Sequence, residues 1–129
     1  PPPPGEPESR ATFFRTVAMA MRTILRDYWR QQRALKRGGD AEVMIFDGAA
    51  HADPKGDPLE QVDFLDLDAA LDRLERHNKP WFDVVMHRYF AGRDIEETAS
   101  LMGLGVTTVK KDWKAAKAWL RETLSESSG

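Results

Sequence analysis

Two sets of cations stand at helical spacing in this chain, and the chemistry open to both is the binding of anions. In the first, Thr107, Thr108, Lys110, Lys111, Lys114 and Lys117 lie off an apolar stripe formed by Val109, Trp113, Ala116 and Leu120. Lys and Thr at the start of a helix can reach phosphate oxygens and base edges. In the second, Arg15, Arg22, Arg26, Arg30, Arg33 and Arg37 are spaced 7, 4, 4, 3 and 4 apart, which puts them on one helix face. Phe13, Phe14 and Trp29 lie among them. Arginines beside aromatics suit a nucleic-acid backbone and unstacked bases. Bond-breaking chemistry has no comparable signature. His51, His77 and His87 fall into no metal-ligand or base spacing, and no Gly-x-Ser-x-Gly or phosphate-binding glycine loop occurs. His51, Asp53 and Asp57 lack the order of a cation loop. The reading is therefore of no catalytic residue, no metal site and no cofactor.

The first cation set needs a helix-turn-helix to present it. Ile95, Ala99 and Met102 mark one stripe of a short helix, with Asp94 as its N-cap and Glu97 placed to reach back to it. Gly103 supplies the positive φ of a helix end, and Gly103-Leu104-Gly105 leaves room only for a tight turn. Helix, glycine-containing turn, longer helix is the helix-turn-helix order. Between 106 and 121 five basic residues face one acid, Asp112. The same pattern would also serve an amphipathic surface helix with solvated lysines.

Upstream, Phe64, Leu67, Leu71 and Leu74 predict a helix to about Asn78, and Pro80 opens the next, with Trp81, Val84, Val85 and Tyr89 inward. Ala91-Gly92-Arg93 turns into Asp94. The arginine helix is predicted from about Ala11 to Arg37. Its first apolar line is Phe13, Val17, Met21, Ile24 and Tyr28, with Phe14, Ala18, Leu25 and Trp29 beside it. Ala41–Phe46 reads as a short strand or a buried anchor, and His51–Pro58 cannot continue regular structure. The expected class is all-α: residues 1–10 a disordered Pro-rich terminus, 11–39 a basic helix, 40–63 a flexible linker, and 64–125 a four-helix domain ending in the helix-turn-helix, with no wing. The last residues, from Ser125, should fray.

The chain of 129 residues has a net charge of −2, which hides a segregation of charge. Residues 10–37 carry eight bases and one acid, Asp27, whereas residues 40–105 carry fifteen acids and six bases. Two separated basic segments fit a nucleic-acid partner better than the whole-chain charge does. No apolar run reaches a membrane span, no signal peptide is evident, and Cys is absent, all of which suit a cytoplasm and no membrane partner.

Arg88-Tyr89-Phe90, Gly92, Ile95-Glu96-Glu97-Thr98-Ala99, Met102-Gly103-Leu104, Thr108-Val109-Lys110 and Asp112-Trp113 follow one another in residues 66–124. In that order they resemble region 4 of the extracytoplasmic-function (ECF) class of the sigma-70 family, dissociable bacterial RNA polymerase subunits that recognise promoters. Phe13-Phe14, Ile24-Leu25, Asp27, Arg30, Arg33 and Lys36-Arg37-Gly38-Gly39 within 11–39 resemble the end of region 2. The resemblance implies promoter DNA and core RNA polymerase as partners, with an anti-sigma factor as a candidate third. It implies −35 contacts from Thr107, Thr108, Lys110, Lys111 and Lys114. It implies −10 contacts from Phe13, Phe14, Arg22, Arg26, Arg30 and Arg33. Region 4 would dock on the β-flap, and region 2 on the clamp. The sequence departs from the family in two ways. The earlier region-2 helices, including the acidic one that grips the clamp, are missing, so an N-terminally truncated member is expected. Gly105 stands where Ser usually caps, and Val106-Thr107 where Pro-Arg is common. Alternatives are a LuxR-like regulator binding DNA without polymerase, and a protein-interaction module whose basic faces only solubilise it.

Overall fold

The computed structural model describes residues 7–36 and 63–128. Among them the chain is all-α: α1 (Pro7–Lys36), α2 (Phe64–His77), α3 (Lys79–Val85) with a π-helical continuation (Met86–Phe90), α4 (Ile95–Met102) and α5 (Val106–Ser128). The proposed strand or anchor at 41–46 and most of the 40–63 linker lie outside the described residues. Two ends differ from expectation. α1 begins at Pro7, inside the stretch expected to be extended, and proline is at home in the first helical turn. α5 runs past Ser125 to Ser128.

Side-chain caps mark the joints. The Asp63 carboxylate accepts from Leu65 N–H at 2.8 Å and opens α2. Asn78 serves two helices: its N–H donates to Leu74 O at 2.8 Å, and its side-chain oxygen accepts from Trp81 N–H at 3.2 Å. α3 therefore starts at Lys79, one residue before Pro80. The π-helical turn that follows, closed by Ala91 N–H to Met86 O at 3.1 Å, has no sequence signal of its own.

One hydrophobic core joins all five helices. Phe64, Leu67, Leu71 and Leu74 of α2 are fully buried, with Val84 and Val85 of α3 and Val109, Ala116 and Leu120 of α5. Truncating any one of these leucines would cost about 2–5 kcal/mol. α1 lies across α2, α4 and the π-helical turn, and its first predicted apolar line splits, Met21 turning inward with the second line. Ala18 is buried, and Phe14, Met21, Leu25 and Trp29 pack against the core. Phe13, Ile24, Tyr28 and Leu35 face outward.

Candidate nucleic-acid interface

The helix-turn-helix is built from its caps inward. Asp94 accepts from Glu97 N–H at 2.7 Å and starts α4. Glu97 does not reach back to close the capping box. Its carboxylate takes the Arg93 guanidinium at 2.9 and 3.1 Å, with Arg10 at 3.7 Å. Arg93 Nη1 donates to both oxygens of that carboxylate, a charged partner where the cap offers one neutral amide. Gly103 ends α4 at φ +67°, and Leu104 N–H donates to Ala99 O at 2.9 Å, satisfying an orphan carbonyl of that end. Three residues later α5 begins.

Val109, Trp113, Ala116 and Leu120 are buried, which fixes the roll of α5. Thr107, Thr108, Lys110, Lys111 and Lys114 consequently point to solvent, all five exposed and none in an ion pair among the described residues. Lys117 differs, its ammonium lying over the Trp113 ring at 4.8 Å. The first turns of α5 thus form a cationic and hydroxyl-bearing surface, interrupted within 106–117 by one acid, the half-buried Asp112.

The arginines of α1 meet the reverse situation. Arg22 is 6% exposed. Its Nε donates to Asp68 Oδ1 at 2.7 Å, and its Nη2 to the Asp68 carbonyl and to Asp72 Oδ1, both at 2.8 Å. Arg26 grips the same carboxylate in bidentate fashion, Nε to Oδ2 at 2.8 Å and Nη2 to Oδ1 at 3.1 Å. Arg33 pairs with Asp63. Arg30 is exposed and in no ion pair among the described residues. Phe13 is 60% exposed, whereas Phe14 packs on the core beneath the Arg93 guanidinium at 4.6 Å. So of the residues that the resemblance assigns to the −10 element, Phe13 and Arg30 stand in solvent. The other arginines are held by α2, and Phe14 is tucked inward.

Burial is the largest single influence on Asp68 and would push its carboxyl up. Hydrogen bonds from Arg26 and Arg22, with their charges, outweigh it and hold the group below the ordinary carboxylate value. The hydrogen bond to Asp68 correspondingly raises Arg26. Sequence reasoning missed the three acids, Asp63, Asp68 and Asp72. A signal was there: Asp68 and Asp72 repeat at i, i+4, as Arg22 and Arg26 do, so two complementary faces exist in register.

The family description "ECF sigma factor" matches residues 6–126. The chain belongs to that family. Among curated proteins and among solved structures, nothing matches it. Membership carries a sigma-factor role in promoter-directed transcription, with RNA polymerase and promoter DNA as the partners the family implies. Among the described residues no helix is long and apolar enough to cross a membrane.

Proposed function

We propose that this ECF sigma factor binds the −35 promoter element through α5 and directs core RNA polymerase to the start site in the bacterial cytoplasm, without catalysis of its own. One observation supports this most: the first turns of α5 hold Thr107, Thr108, Lys110, Lys111 and Lys114 exposed while the opposite stripe is locked in the core. A helix so held can lie in a major groove with its N-terminal residues against bases and phosphates. We assign −10 contacts to Phe13 and Arg30 first. Arg22, Arg26 and Arg33 can join them only by leaving Asp68, Asp72 and Asp63, and Phe14 only by leaving the core. Docking on the β-flap and clamp, and capture by an anti-sigma factor, belong to the same proposal.

The test is run-off transcription with core polymerase on genomic promoter fragments, alongside duplex binding across a salt series. Initiation at defined start sites that is lost in Lys110→Ala/Lys111→Ala is the expected result. Sequence-specific duplex binding with no polymerase-dependent initiation would instead favour a regulator acting alone.

A further inference from the structure

Asp68 sits at the centre of the contact between α1 and α2, and is itself nearly buried. It collects both Arg22 and Arg26, while Asp72 and Asp63 on the rim take Arg22 and Arg33. A guanidinium fork matches a carboxylate in the same bidentate geometry with which it matches a phosphate. The acidic face of α2 therefore offers the α1 arginines what a nucleic-acid backbone would offer. The contact has a dry centre and a wet rim: the Asp72 side chain is 57% and that of Arg33 50% exposed. Its apolar part is Ala18, fully buried, with Phe14, Met21, Leu25 and Trp29 partly buried against the core, while Phe13, Ile24, Tyr28 and Leu35 face away. A buried ion pair gives little net stabilisation over its separated, hydrated partners, so such a contact can exchange for another of the same chemistry.

We propose that the α2 carboxylates are an intramolecular competitor of DNA phosphates for the α1 arginines. Asp63, Asp68 and Asp72 hold α1 closed on the helix-turn-helix unit, and a nucleic-acid strand engages Arg22, Arg26 and Arg33 only when α1 departs. This rests on the assignment of α1 to promoter DNA, while the closure itself is measured separately.

The experiment compares the full chain with the rim variant Asp63→Asn/Asp72→Asn and with Asp68→Asn. A control, Asp66→Asn/Glu122→Gln, removes the same number of charges as the rim variant from exposed sites that make no ion pair among the described residues. Two readouts are taken: amide hydrogen exchange along α1, and affinity for a single-stranded DNA oligonucleotide over a salt series. Each rim pair is partly exposed and moves the equilibrium a few-fold at most. The rim variant should exchange faster in α1 and bind the oligonucleotide about three- to tenfold more tightly than the control. Its log–log salt slope should steepen by about 0.7 for each phosphate newly engaged. Unchanged α1 exchange overturns the closure. Faster exchange with affinity no better than the control overturns the competition and points to the α1 assignment as the failing half. Asp68→Asn carries the larger effect if it folds, and the rim variant decides the matter if it does not.

Discussion

The lysine face of α5 and the arginine face of α1 carry the same sign of charge at the same helical spacing, and they meet opposite surroundings. Lys110, Lys111 and Lys114 lie on the side of α5 away from the core and reach solvent. Arg22 and Arg26 lie on the side of α1 that packs, and find Asp68 there. Periodicity places cations on a face; what that face meets is decided by the element packed against it. The first face leaves its charge open to solvent, and the second has its charge met within the chain.

The largest expected effect breaks the second face. Asp68→Ala leaves Arg22 buried with one of its two carboxylate partners gone. Removing one member of a buried pair costs about 3 kcal/mol, because the remaining charge is desolvated and only partly met. Thermal unfolding should show a clear drop in Tm. A loss under about 0.5 kcal/mol would mean that α1 is held by its apolar contacts alone. The pair also has a pH signature. Asp68 is held below its unfolded value, so its contribution is present above about pH 4 and is lost as pH falls through the folded value.

The next effect separates the faces by function. Lys110→Ala/Lys111→Ala removes exposed side chains that make no ion pair among the described residues, so stability should stay within about 0.5 kcal/mol. Promoter-duplex affinity should fall about tenfold, with the log–log salt slope shallower by about one to two. Binding and slope both unchanged would remove α5 as the DNA-reading helix. The two variants together show whether stability and binding divide between the faces as their surroundings imply.

A smaller effect tests how the lysine face is aimed. Gly103 holds φ +67°, and a Cβ added there would meet nothing within 4 Å. Gly103→Ala therefore costs only the left-handed backbone penalty, about 1 kcal/mol. A loss well above that would show that the turn carries contacts beyond its conformation. DNA affinity should follow stability in this variant, since no side chain of the α5 face is touched.

Much of this was legible in residue order. Gly103, Asp94 and the stripe Val109, Trp113, Ala116 and Leu120 specify a turn, a cap and a roll, which are local properties with strong side-chain signals. The exposure of Lys110 and Lys111 follows from that roll. The fate of Arg22 and Arg26 does not, because their partner lies 42 to 46 residues away and depends on how α1 crosses α2. Likewise, Phe14 and Phe13 are neighbours with equal apolarity, and only the packing of α1 sends one inward and the other out. The π-helical turn at Met86–Phe90 was invisible because nothing in its residues opposes an ordinary helix.

The smallest effect sharpens the contrast by acid. His87 is buried in the π-helical turn, lines a cleft of about 510 Å³ between α1 and α3–α4, and its Nδ1 has no hydrogen-bond partner among the described residues. Burial lowers its affinity for a proton, the charge of Arg15 lowers it further, and Asp83 opposes both. The folded ring therefore takes up a proton less readily than an unfolded histidine, which titrates near about pH 6.5. Below that pH the unfolded state binds more protons, so stability falls as pH drops, by at most about 1.4 kcal/mol per pH unit for one group. Between pH 7 and 5 the full chain should lose stability gently, and His87→Gln should flatten that limb while leaving the loss near pH 4 that belongs to Asp68. A flat wild-type profile between pH 7 and 5 would refute a buried His87 whose affinity for a proton is lowered by folding. Both titrating groups lie on the α1 side of the molecule, so acid should loosen the arginine face first.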